Sequence, residues 1–95
     1  MGRRQVERRL RQVGTRLRTL RDELRIADEQ LPHLAAEAED MSTRALVADT
    51  SHAGIEARHA REHLAAMTNH RAHVLTEIAE LEAKQDQLLD ALNAT

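Results

Sequence analysis

The 95-residue chain contains no cysteine and no phenylalanine, tyrosine or tryptophan. Without cysteine it has no disulfide, no thiolate nucleophile and no cysteine-ligated zinc site. Without aromatic side chains it lacks the large planar groups that usually fill globular cores or stack on nucleic-acid bases. It also has only one proline and three glycines, so residues that interrupt helices are scarce. These absences disfavour a layered globule and favour long helices.

Long apolar runs are missing as well, and none approaches the roughly 20 residues that a membrane-spanning helix needs. The first residues are rich in arginine rather than in the apolar side chains of a signal peptide. We therefore expect a cytoplasmic protein with no membrane partner. Arginine outnumbers lysine 13 to 1, and this bias predicts a bacterial source with a GC-rich genome.

A seven-residue repeat of apolar side chains runs through the first half of the chain. Steps of four and three residues from Val6 meet no polar side chain as far as Ala48. So strict a repeat is typical of a coiled-coil seam, because a solitary amphipathic helix has a wider apolar stripe. The large seam residues of this half are Leu10, Val13, Leu17, Leu20, Leu24, Leu31, Leu34 and Met41.

The repeat resumes at Ala57 and continues almost to the end of the chain, interrupted by Arg71 and Gln85. Its large seam residues are Leu64, Met67, Val74, Ile78, Leu81, Leu88 and Leu92. Between the two halves, small polar residues and Gly54 cluster over residues 49–54, which predicts a turn. We expect a single domain over residues 1–95. Its predicted parts are a first helix at about 3–49, a turn at about 50–54, and a second helix at about 55–93 with Ser51 as its candidate cap.

The two repeats can pair if the chain folds back on itself. Facing seam residues then have numbers that sum to 105, as in Leu24 with Leu81, and the centre falls inside the predicted turn. A parallel dimer would bring arginines together, whereas the hairpin brings Arg21 to Glu82 and Glu23 to Lys84. The predicted fold class is therefore all-α, a long antiparallel helical hairpin of the coiled-coil type.

Pro32 lies inside the first repeat and has no N–H to continue the helical hydrogen bonds. The repeat keeps its phase through Leu31 and Leu34, which favours a continuous helix kinked near Pro32. A corner at Pro32, with three helices in total, is the alternative.

Apolar residues off the seam predict self-association. Leu75 and Leu89 lie beside alanines such as Ala72 and Ala79, on a part of the second helix that one partner helix would leave uncovered. We expect a homo-oligomer, most simply a dimer in which two hairpins pack as a four-helix bundle.

Histidines cluster in the second half, where His59 and His63 are one helical turn apart and His70 and His73 form a neighbouring pair. Such pairs are weak candidates for metal ligation or for a pH response. Residues 59–63 also match the H-x-x-E-H pattern of some metalloproteases, but the sequence shows no third ligand and no cleft. The main interpretation is solvated surface histidine, with no metal and no cofactor.

No catalytic arrangement stands out in the sequence. The carboxylates are spaced as on the solvated face of a coiled coil, and the chain has neither a glycine-rich phosphate loop nor a serine with a flanking glycine elbow. We therefore expect a protein that is not an enzyme.

Charge is strongly polarised along the chain. Residues 1–25 hold nine arginines against three acidic residues, a net charge of +6, whereas residues 26–95 hold five basic and thirteen acidic residues, a net charge of -8. The candidate contacts for an acidic protein surface or for phosphates are Arg3, Arg4, Arg8, Arg9, Arg11, Arg16 and Arg18.

These features predict a protein–protein interaction module, a small coiled-coil adaptor or scaffold with a basic and an acidic part. The alternative is a regulatory protein that contacts nucleic-acid phosphates through its arginine-rich first helix.

Overall fold

The computed structural model describes residues 2–94 and places almost all of them in two long helices. Helix α1 spans Arg3–Ala48 and helix α2 spans Ser51–Ala94. Within this described part the protein has no strand. The contact of Asp28 with Arg71 and that of Ser42 with Arg61 show that the helices run antiparallel, since the second number falls as the first rises. The predicted all-α helical hairpin is confirmed.

Contacts between residues divide the chain into two compact units, and each helix contributes to both. The terminal unit joins the chain up to Leu24 with the chain from His73 onward. The central unit is Arg25–Ala72, which contains the connection between the helices.

The terminal unit has a core of large aliphatic side chains supplied by both helices. Leu17 and Leu20 are each 1% exposed, and Val6 is completely buried. The buried members of this core are Val6, Val13, Leu17, Leu20, Val74, Ile78 and Leu88, with Leu10, Leu24, Leu81, Ala91 and Leu92 packed against them. Almost all of these are positions of the seven-residue repeat, so in this unit the repeat residues form the core.

The central unit is packed much more thinly. Its buried residues among those described are the alanines Ala27, Ala38 and Ala57. Its large seam residues, Leu31, Leu34, Met41, Leu64 and Met67, are half-buried. Because hydrophobic stabilisation follows the apolar area removed from water, this unit gains less from its seam than the terminal unit does.

The connection consists of Asp49 and Thr50 alone. Asp49 adopts a left-handed backbone with φ of 49°, and its N–H donates to the carbonyl of Ala45 at 3.0 Å, a standard way to close the end of a helix. The hydroxyl of Thr50 accepts a hydrogen bond from the N–H of Ala53 at 3.2 Å, which makes Thr50 the N-cap of α2. The chain therefore reverses between two complementary caps.

The predicted turn is longer than the observed one. Residues 51–54, expected to belong to the turn, form the first turn of α2. Ser51 lies within α2 and is not its cap, and Gly54 donates its N–H to the carbonyl of Thr50 at 3.1 Å as a helical residue does. The cluster of small residues in the sequence indicated roughly where the chain reverses. The exact place of the reversal depends on the helix caps at Asp49 and Thr50.

The short connection also changes which residues face each other. The centre of the connection lies three positions before the predicted centre, so the residue numbers of two facing residues should sum to about 99 instead of 105. Among sums near 99, a sum of 98 pairs seam residues of α1 with seam residues of α2. The register is thus one heptad away from the predicted 105. Under the predicted register Val6 would face a position beyond the last described residue, whereas it is completely buried in the same cluster as Leu92.

One of the two predicted cross-helix ion pairs forms. Arg21 reaches Glu82 at 3.5 Å, as predicted. Within the described residues no ion pair joins Glu23 to Lys84.

Pro32 lies inside α1, which continues on both sides of it. The three-helix alternative with a corner at this residue is therefore wrong. The kink near Pro32 stays a prediction.

Replacement of Gly54 by alanine tests the position of the connection. The added Cβ would meet no atom within 4 Å, and glycine inside a helix is less stable than alanine, so Gly54→Ala should raise the free energy of unfolding by about 0.5–1 kcal/mol. Thr50→Ala should lower it by about 1 kcal/mol through loss of the cap, and Thr50→Ser should restore the cap. Urea denaturation followed by circular dichroism measures both. Destabilisation by Gly54→Ala would contradict the observed boundary.

A matched pair of leucines tests the contrast in packing. Leu20 and Leu34 occupy equivalent seam positions of α1, but Leu20 is buried in the terminal unit and Leu34 is half-buried in the central unit. Leu20→Ala should cost about 3 kcal/mol of unfolding free energy, and Leu34→Ala about 1 kcal/mol. Equal losses in urea denaturation would show that the two units are equally well packed.

Candidate interaction surfaces

The structure divides the arginines of α1 into those with a carboxylate partner and those without one. Arg16 and Arg21 flank the seam and reach across to Glu77 and Glu82 on α2, at 2.7 and 3.5 Å. Arg3 pairs along its own helix with Glu7 at 3.2 Å. Two of the predicted contact residues, Arg3 and Arg16, are therefore neutralised within the terminal unit, as is Arg21.

The others lie on the outer side of the helix. Within the described residues no ion pair involves Arg4, Arg8, Arg9 or Arg11, and Arg18 donates to the hydroxyl of Thr15 at 3.2 Å. Arg4, Arg8, Arg11 and Arg18 follow one another by four, three and seven residues and so share one helical face, which we name the arginine stripe. All four are exposed. Residues 1–25 contain nine arginines, and the structure shows which of them have a carboxylate partner on the same helix or across the hairpin.

A shallow groove of about 440 Å³ lies along this stripe. Its lining residues are Arg8, Arg11, Gln12, Thr15, Arg16 and Thr19. Guanidinium, amide and hydroxyl groups can all donate hydrogen bonds, and the lining contains no carboxylate. The groove therefore has the chemistry of a surface for anionic groups.

The pair of Arg16 and Glu77 fixes one edge of this groove. The Nε and Nη2 atoms of Arg16 donate to the two carboxylate oxygens of Glu77 at 2.7 and 3.1 Å, which is a bidentate arrangement. The hydrogen bond from Arg16 lowers the pKa of Glu77, and the bond to Glu77 raises the pKa of Arg16 above its already high value. Both side chains stay in their charged forms at neutral pH, so the guanidinium is held in place.

A second groove, of about 270 Å³, belongs to the central unit. We name it the central groove. Helix α1 contributes Glu37 and Met41, and α2 contributes Glu56, His59, Ala60 and His63. Of the four histidines predicted as weak metal candidates, His59 and His63 thus lie together in this groove, whereas His70 and His73 do not line it.

Metal ligation by these histidines receives no support from the arrangement. Within residues 2–94 no group of three or more histidine, aspartate or glutamate side chains could hold a metal ion. Glu37 was not predicted as a neighbour of His59 and His63, because it lies on the other helix and only the folded hairpin brings it into the same groove.

Large apolar side chains are also exposed. Leu46 is 84% exposed and Val47 is 83% exposed, both in the last turn of α1, and Ile55 is 43% exposed in α2. Leu75 and Leu89, predicted to support self-association, are 39% and 44% exposed. Leu46 and Val47 make almost no contact within the hairpin, so their burial would require another molecule.

Comparison with known proteins adds no relative. No family model matches the chain, and no curated protein or solved structure matches it significantly. Among the described residues, neither helix is long and apolar enough to cross a membrane.

The pKa of Glu77 provides a direct test of the arginine pairing. Arg16→Gln removes the bidentate donor, so the pKa of Glu77 should rise toward its ordinary value. Because the folded-state pKa is the lower one, the pair stabilises the fold at pH values above the unfolded pKa. This contribution is lost as pH falls through the folded pKa. Titration of the Glu77 carboxyl carbon by NMR measures the change. Arg11→Gln is the control and should leave the Glu77 titration unchanged; a shift of equal size would refute the specific pair.

Proposed function

We propose that this protein is a non-enzymatic protein–protein interaction module, a small coiled-coil adaptor or scaffold. The arginine stripe is the observation that carries the proposal. Arg3, Arg16, Arg21 and Arg25 have carboxylate partners, whereas within the described residues no ion pair involves Arg4, Arg8 or Arg11, which share one exposed face. An acidic surface of a partner protein would supply the missing carboxylates in the planar geometry that guanidinium groups favour.

Exposed aliphatic side chains support a protein partner over nucleic acid. Leu46 and Val47, each more than four-fifths exposed, gain from contact with an apolar protein surface. Nucleic-acid phosphates offer such side chains nothing. The chain also has no aromatic residue on which unpaired bases could stack.

The second candidate is a regulatory protein that binds nucleic acid through the same stripe. Its supporting observation is the groove beside the stripe, whose lining donates hydrogen bonds and contains no carboxylate. Binding of this kind would weaken steeply with salt, because each neutralised phosphate releases a counterion.

Self-association belongs to the same proposal. Two hairpins would pack through Leu75 and Leu89, which lie off the seam and are exposed, and form a four-helix bundle. We further propose that the protein is bacterial and works in the cytoplasm, consistent with its arginine bias and its lack of cysteine.

Site-specific photocrosslinking distinguishes these possibilities. A photoreactive residue in place of Thr15, at the middle of the stripe, should crosslink in cells to a discrete protein, and the Arg8→Glu/Arg11→Glu variant should lose that product. Protease and nuclease digestion of the product identifies its class. A nuclease-sensitive product would overturn the proposal in favour of the second candidate.

Two controls accompany this experiment. A photoreactive residue at Gln87, exposed on α2 of the terminal unit, should not give the same product. A product with twice the mass of the chain that is lost in Leu75→Ser/Leu89→Ser would identify a second copy. Absence of any product specific to position 15 would contradict a role for the stripe.

A further inference from the structure

The central groove has an apolar floor and a polar rim. Met41 and Ala60 are half-buried and form the floor, while the exposed side chains of Glu37, Glu56, His59 and His63 stand around it. Carboxylates and imidazoles around apolar atoms suit a ligand that carries both aliphatic groups and positive charge.

Charge in the central unit is unevenly compensated. The unit has five arginines and eight carboxylates, a net charge of -3. Each arginine has a partner: Arg25 with Glu29, Arg44 with Asp40, Arg58 with Glu62, Arg61 with Ser42 and Arg71 with Asp28. In the described part of the chain no ion pair involves Glu37, and the partner of Glu56 is His52 at 3.1 Å, which is charged only when protonated. The rim therefore carries negative charge at neutral pH.

Packing in the same unit leaves apolar area to be covered. None of its described large aliphatic side chains is buried, and the five large seam residues are half-buried. A third helix laid against the two existing ones would complete the burial that a two-helix seam cannot provide. Met41 suits such a contact because its unbranched side chain adapts to different shapes.

We propose that the central groove docks a basic amphipathic helix of a partner protein. Apolar side chains of that helix would pack on Met41 and Ala60, and its lysines or arginines would approach Glu37 and Glu56. This inference rests on the proposed function as an interaction module, and it assigns a second surface with a partner of opposite charge to the one expected at the arginine stripe.

The probe for this site is a fluorescein-labelled 18-residue helical peptide of leucine and lysine, with leucine at every a and d position. Fluorescence anisotropy with the full chain at pH 7.5 gives its Kd. Glu37→Gln/Glu56→Gln should raise the Kd about tenfold, and Met41→Gln should raise it several-fold. A peptide with glutamate in place of lysine should bind at least tenfold more weakly.

Matched controls separate the groove from general acidity. Glu80→Gln/Asp86→Asn removes two exposed carboxylates from the terminal unit and should leave the Kd unchanged. Circular dichroism checks that each variant keeps its helix content.

Three results would overturn the proposal: no binding of the basic peptide, equal binding of the acidic peptide, or an equal loss in the terminal-unit control. The proposal would also be overturned if light scattering without peptide showed a dimer that Glu37→Gln/Glu56→Gln abolishes. The groove would then be occupied by a second copy of this chain and not by a partner helix. The crosslink at position 15 reports on a different surface, so failure here leaves the proposed function to be judged by that experiment.

Discussion

The two-residue connection is the constraint on which the rest of the hairpin depends. Asp49 ends α1 in a left-handed conformation, and Thr50 begins α2 as its N-cap. With only two residues between the helices, the positions of α1 and α2 beside the reversal are tightly restricted. The lining of the central groove, which combines residues of both helices in the same unit, depends on this restriction.

Packing along the seam changes with the size of the side chains that meet there. In the terminal unit leucine, isoleucine and valine fill the seam and exclude water. In the central unit the buried positions are alanines, and the larger neighbours stay half-exposed. The same repeat thus gives a well-filled core in one unit and an accessible apolar surface in the other, and the proposed docking helix uses that second property.

Much of the fold could be predicted from the sequence because a seven-residue repeat and the lack of helix breakers leave few alternatives. The register of the hairpin could not be predicted, because a heptad pattern looks the same after a shift of seven residues. Leu24, for example, faces an apolar side chain in both registers. The pair of Arg21 and Glu82 was predicted correctly, whereas within the described residues the predicted pair of Glu23 and Lys84 does not form. The central groove was not predicted, because Glu37 and His63 lie on different helices and only the folded hairpin brings them into the same groove. The arginine stripe needed the structure too, because the sequence does not show which arginines have a carboxylate partner.

The brevity of the connection also bears on the loop entropy that each cross-helix contact costs. Contacts of the central unit close short loops, such as the 19 residues that separate Ser42 from Arg61, whereas Arg16 and Glu77 are 61 residues apart. Loop-closure entropy grows with the length of the loop, so the contact of Ser42 with Arg61 costs less loop entropy to form than the pair of Arg16 with Glu77. The large aliphatic core of the terminal unit offsets the higher loop-closure cost of its own contacts.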